Sequence, residues 1–132
     1  MGDLLSEPPS PLDAAIGLVA VELLGDAVVL RLDPSHTAVG SEEPRPILHG
    51  GTLAACVDTA GWYALEHVSP GNWVAVDLRC DFLRPALPVP HRAVGRCLVA
   101  GRTVGVADVE ISAWDEPERL IAVGRARYLR SA

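Results

Sequence analysis

Cysteine and positive charge are both in short supply in this chain of 132 residues. The cysteines, Cys56, Cys80 and Cys97, are odd in number, far apart and set in apolar segments. That pattern excludes a disulfide framework and reads as free thiols in a reducing cytoplasmic setting. No CxxC or HExxH spacing occurs, so neither a metal site nor a cofactor is expected. Asp and Glu number 17 against 11 Lys and Arg, a net charge of −6. With no basic stripe, nucleic acid and anionic membrane are excluded as main partners. No apolar run approaches the roughly 20 residues that span a bilayer. The opening MGDLLSEPPSPLDAA has no charged n-region and no long apolar stretch, so it is not read as a signal peptide. Met1-Gly2 with Ser6 has the outline of an acylation start, but Asp3 argues against it. GxSxG and GxxxxGK[ST] are missing too, which removes the α/β-hydrolase and P-loop readings.

What is present suits one packed domain: 49% of residues are apolar, and the length matches a single core. Residues 1–11, with Pro8, Pro9 and Pro11, are expected to form a flexible lead-in. Residues 12–132 are read as one domain. A short helix is expected at Leu12–Ile16, then strand-like runs at Gly17–Leu24 and Ala27–Leu32 and a loop over Asp33–Pro46. The long helix runs from Gly50 to His67. Four strands follow: Trp73–Arg84, His91–Ala100, Thr103–Trp114 and Arg119–Arg130. Alternation in the first of these puts Val74, Val76, Leu78, Cys80 and Phe82 on one face and Ala75, Asp77, Arg79 and Asp81 on the other. The order β-β-α-β-β-β-β predicts an α+β fold with a mostly antiparallel sheet. One helix covers only one sheet face, and an open sheet edge invites a second strand, so a dimer is expected.

The most informative stretch is LHGGTLAACVDTAGWYAL, residues 48–65. His49-Gly50-Gly51 opens the helix, where the first backbone N–H groups have no intrahelical acceptor and can hold a polarised carbonyl oxygen. Leu53, Val57, Ala60 and Ala64 share the buried face, with Cys56 beside them. Asp58 falls at the margin of that stripe, within reach of a pocket or a partner subunit. Asp is a poor helix former and its neighbours are small and apolar; on these grounds a functional carboxylate and a solvated or salt-bridged one stand level. His49 is read as orienting the Gly50-Gly51 turn. Trp62 and Tyr63 are read first as core or interface packing, with an acyl pocket as their functional alternative. His36, His67 and His91 are read as surface residues.

Three blocks in order, ILHGGTLAACVDTAG, VAVDLRCDFLRPA and GRTVGVADVEI, resemble the hotdog-fold thioesterases of the PaaI-like, phenylacetic-acid-degradation type. The resemblance covers about Ala15 to Arg130. It implies an antiparallel sheet wrapped around one long central helix, and a homodimer that assembles into a homotetramer. It also implies hydrolysis of an acyl-coenzyme A thioester without metal. Carried onto this chain, it implies that His49 and Gly50 hold the thioester carbonyl, with the Gly51 N–H as oxyanion donor. Asp58, from the neighbouring protomer, would act as base or nucleophile. Arg84 and Arg102 would lie near the coenzyme A entrance, although plain surface charge is the commoner role for such arginines. Two positions depart from the family pattern: Glu43 stands where an Asn is common, and Ala75 where some members carry Ser or Thr. They support a second expectation, a non-catalytic module that binds acyl-CoA. A dehydratase ranks lower, because no second His or Glu accompanies the HGG turn.

Overall fold

The computed structural model describes residues 3–131. Met1, Gly2 and Ala132 fall outside the described residues, so the Met1-Gly2 motif and the outermost ends of the lead-in and of the domain lie there too. In chain order the elements are α1 (Pro11–Ile16), β1 (Leu18–Leu24), β2 (Ala27–Leu32), β3 (Val39–Ser41), β4 (Ile47–Leu48), α2 (Gly50–Val68), β5 (Trp73–Phe82), β6 (His91–Ala100), β7 (Val104–Ala113) and β8 (Leu120–Arg130). Single 3-10 turns precede α1 at Leu4–Ser6 and β3 at His36–Ala38. Six strands form one antiparallel sheet in the order β1-β2-β6-β7-β8-β5. Its concave face wraps α2, the α+β arrangement that the sequence predicts. The stretch 33–46, expected to be loop, instead contains β3, which pairs with β4 as a two-stranded ribbon. Strands this short carry too little alternation to be read from sequence.

The buried stripe of α2 packs into the sheet through Leu53, Cys56, Val57, Ala60, Ala64 and Leu65, all 3% exposed or less. Each fully buried Leu or Val contributes roughly 1.5–3 kcal/mol. Small residues set how close helix and sheet approach. A Cβ on Gly95 would lie 2.2 Å from the Ala60 carbonyl oxygen, and one on Gly124 would lie 2.6 Å from a Val57 methyl. Any side chain at either position would push α2 off the sheet.

The β5 strand lies at one edge of the sheet. It pairs only with β8, and Val74, Val76 and Phe82 are each more than half exposed. A bulge between Ala75 and Asp77 breaks the strand's phase. Paired residues share a face, so Ala75 sits with the buried Tyr128, and Leu78, Cys80 and Phe82 follow on the same inner side. Val74 joins Asp77, Arg79 and Asp81 on the outer side. The uniform alternation expected from sequence is therefore corrected: one inserted residue moves Val74 and Ala75 to opposite faces from those assigned. His91 also departs from expectation. It is 1% exposed, paired in register with Leu32 and Ala113, and its Nδ1 lies 2.6 Å from the Val89 carbonyl oxygen. That bond satisfies the imidazole locally, which is why a polar ring is tolerated on the inner face.

Candidate active site

The two ends of the HGG–Asp58 segment open into different cavities. At the start of α2, His49 is the N-cap, and its Nδ1 accepts the Gly51 N–H at 2.7 Å. This bond fixes the ring: Nδ1 is the acceptor, so in neutral imidazole Nε2 carries the proton. The Thr52 N–H donates to the His49 carbonyl, and the Thr52 hydroxyl donates to the Ala38 carbonyl at 2.9 Å. Among the described residues, no hydrogen bond engages the Gly50 N–H. The expectation of a free Gly51 donor thus meets a different arrangement, in which the His49 ring occupies Gly51 and Gly50 holds the open amide. A cavity of about 320 Å³ adjoins this turn, lined by Gly50, Leu53, Phe82, Leu83 and Arg84 among others. Gly50 approaches the Phe82 ring so closely that a Cβ would sit 3.3 Å from it.

Asp58 lies two turns on, about 12 Å along the helix axis from Gly50 at the usual rise per residue. It lines a second cavity of about 560 Å³, with Ser10, Asp13, Thr59, Trp62, Tyr63 and the start of β5 at Trp73, Val74 and Ala75. Asp58 is half-buried. Burial raises its proton affinity above the ordinary aspartate range, and the charge of Asp13 raises it further. The Asp58 backbone carbonyl accepts the Tyr128 hydroxyl at 2.5 Å, which ties this turn of α2 to β8. Tyr128 itself is fully buried. The rings of Trp62 and Tyr63 meet edge to face at 5.1 Å, forming the aromatic side of the cavity.

The chain therefore brings Asp58 and Trp62 together at one cavity, and Gly50 and Arg84 at the other. His49 caps the latter's helix turn, while Arg84 also donates to the Leu120 carbonyl. Arg102 lines neither cavity. It occupies the β6–β7 turn, where its carbonyl accepts from Arg130 Nε at 3.1 Å. The two arginines expected near one entrance thus lie at opposite ends of a single sheet. Glu43 is exposed, with its carbonyl accepting the Ser41 hydroxyl. Ala75 does line the Asp58 cavity and brings no hydroxyl to it.

Sequence reasoning missed Asp13, Thr59 and Tyr128. Asp13 is 7% exposed; its Oδ1 accepts the Thr59 hydroxyl and its Oδ2 the Ser10 hydroxyl, both at 2.8 Å. The Ser10-x-x-Asp13 spacing is a helix-capping pattern, and Ser10 does accept the Asp13 N–H at 3.1 Å. The pattern announces a helix start, but not that the acid points into the core. The thiols are free; Cys56 is buried, and burial next to Asp13 pushes it up to about 12, far from reactivity at neutral pH. Among the described residues no His, Cys, Asp and Glu cluster is arranged to hold a metal, and no helix is long and apolar enough to cross a membrane.

A sheet wrapped around a helix that opens on HGG defines the hotdog class of thioesterases. The thioesterase-superfamily family model matches residues 46–122, and the chain belongs to that superfamily. A Halobacterium salinarum protein named as a candidate esterase is 32% identical over 122 residues, covering 83% of this chain and 78% of its own. Among solved structures, a thioesterase-superfamily protein is similar with a TM-score of 0.83 and 31% identity, over 92% of this chain and 90% of that one. The E. coli PaaI protein from the phenylacetic acid degradation operon is similar with a TM-score of 0.78 and 25% identity, over 93% and 86% of the two chains.

Proposed function

We propose that the protein hydrolyses acyl-coenzyme A thioesters as a homodimer, each site joining the amide end of one α2 to Asp58 of the partner subunit. The observation that carries this reading is the placement of the two half-sites along β5. Gly50 packs on Phe82 at the end of the strand, whereas the Asp58 cavity is lined by Trp73, Val74 and Ala75 at its start. The strand is an edge, with unpaired backbone groups along its free side. Two copies of β5 paired antiparallel about a two-fold near Leu78 exchange these ends. Each glycine turn then faces the partner's acid, and neither half-site is complete in one chain. The same exchange carries Arg84 toward Arg102 of the partner subunit, two cations for the phosphates of the nucleotide. Dimers pair further into a homotetramer, and the free thiols suit the cytoplasm.

The chemistry follows from the two half-sites. The thioester carbonyl oxygen takes the open Gly50 N–H, helped by the positive end of the α2 dipole. If His49 rotates off Gly51, that amide becomes a second donor. Losing one such donor typically costs ~3–4 kcal/mol of transition-state stabilisation. Asp58 accepts a proton from water as the water oxygen bonds to the carbonyl carbon. The tetrahedral oxyanion then collapses, the C–S bond breaks, and the thiolate takes up the proton that Asp58 had accepted. Trp62 forms the apolar wall beside the acyl group. The test is thiol release from a panel of acyl-CoA esters by wild type and Asp58→Asn; equal rates defeat the assignment of Asp58. One observation favours a second reading, binding without turnover: at Trp73, Val74 and Ala75 the β5 side of the Asp58 cavity carries no hydroxyl. Calorimetric acyl-CoA binding with no thiol release across the panel selects it.

A further inference from the structure

We propose that Asp13, carried into the acid cavity by α1, is a positioning residue for Asp58: it fixes the Thr59 hydroxyl and sets a second carboxylate beside the first. The inference rests on the reading of Asp58 as the base and names a residue outside the HGG segment that controls it. Three observations support it. Asp13 is buried although it belongs to a one-and-a-half-turn helix at the edge of the domain, where an acid is ordinarily solvated. Both its oxygens are engaged, Oδ1 by Thr59 and Oδ2 by Ser10, so the carboxylate is held in one orientation. It shares the 560 Å³ cavity with Asp58, and Thr59 is the next residue along the helix.

The charged and titratable groups facing Asp58 are few. From the segment before α1 comes Glu7, from α1 Asp13, from α2 Tyr63, and from β8 Tyr128. Among the described residues lining the cavity there is no Lys, Arg or His. Asp58 thus meets negative charge and phenols with no compensating cation. Burial is the larger cause of its raised proton affinity, and Asp13 is the second. A base that holds a proton more tightly is a stronger base once it is ionised. The Thr59 hydroxyl donates to Asp13, which leaves its oxygen lone pairs available to accept from a water that also donates to Asp58. This supplies a hydroxyl from the helix at a cavity where Ala75 supplies none from the strand.

The test uses Asp13→Asn, which keeps an oxygen acceptor for Thr59 but removes the charge. Carboxyl-carbon NMR of the intact protein is expected to show the Asp58 midpoint at lower pH in Asp13→Asn than in wild type. The acid limb of the kcat/KM profile should move the same way. An unmoved Asp58 midpoint in a folded Asp13→Asn protein overturns the proposal. If Asp13→Asn does not fold, Thr59 carries the test. Thr59→Ser should retain the rate, whereas Thr59→Val should lose roughly tenfold in kcat with KM unchanged; equal rates in the two variants overturn it. The NMR arm does not depend on turnover. An Asp58 midpoint that moves, in a protein whose Asp58→Asn variant still hydrolyses thioesters, defeats the catalytic reading and leaves the Asp13–Asp58 coupling intact.

Discussion

The first turn of α2 and the turn that carries Asp58 are parts of one helix with opposite electrostatics. At Gly50-Gly51 the Gly50 N–H is open and the Gly51 N–H is held by its cap, an exposed histidine, while the helix dipole favours negative charge. At Asp58, about 12 Å on, the dipole's help has faded, the side chain is half-buried, and the charge acting on it is another carboxylate. Negative charge is favoured at the first place and a carboxylate anion is disfavoured at the second. The difference suits the two roles proposed for these ends. A proton acceptor gains strength from an environment that resists its ionised form, whereas a developing oxyanion needs donors already in place.

Four experiments test that contrast. The largest effect is expected at the acid end, where Asp58→Asn should lower kcat by roughly 10²–10⁴-fold with the fold retained; steady-state thiol release measures it. Next is the strand that is proposed to join the two ends. In Leu78→Lys, a residue near the two-fold meets its own copy, so like charges oppose pairing. Sedimentation should then report monomers, and activity should fall with the dimer population; a fully active monomer rules out the shared site. At the amide end, His49→Ala removes the N-cap bond to Gly51. It should cost about 1 kcal/mol of stability by thermal melting, and its loss of kcat should be smaller than that of Asp58→Asn.

The smallest effect is a stability difference that depends on pH. The Asp58 carboxyl is raised above its unfolded value, so its neutral form is favoured by folding. Its stabilising share is fully present below the unfolded value and is lost as pH rises through the folded one. The amide of the Asp58→Asn variant stays neutral throughout. Asp58→Asn should therefore melt with wild type in acid and above it at neutral pH. A gap that closes as pH rises contradicts the burial of the acid. Higher stability in the variant is also the signature of a site that exchanges stability for activity.

Much of the fold was legible in the residues. Two glycines after His49, an apolar stripe from Leu53 to Ala64 and a terminating Ser69-Pro70-Gly71 mark α2 to within a residue of its observed end. The long strands β6, β7 and β8 are legible for the same reason, because alternation over ten residues leaves little room for another periodicity. What escaped depends on partners distant in sequence. The β5 bulge is set by the register against β8, and one inserted residue there reverses faces that alternation alone assigns. The inner position of His91 follows from its pairing with β2 and β7. Asp13 looks like an ordinary capping acid until α1 is laid against α2.

Local rules belong to the chain itself: which segments coil or extend, where the helix begins, and that an acid interrupts its small-residue face. Those rules act through neighbours three or four residues apart, and any chain with this order of residues obeys them. The folded sheet alone decided which acids share a cavity, and that the amide and acid ends face opposite ends of an edge strand. These depend on through-space packing among residues up to 70 apart, as in the bond from Tyr128 to the Asp58 carbonyl, and no local periodicity encodes such distances.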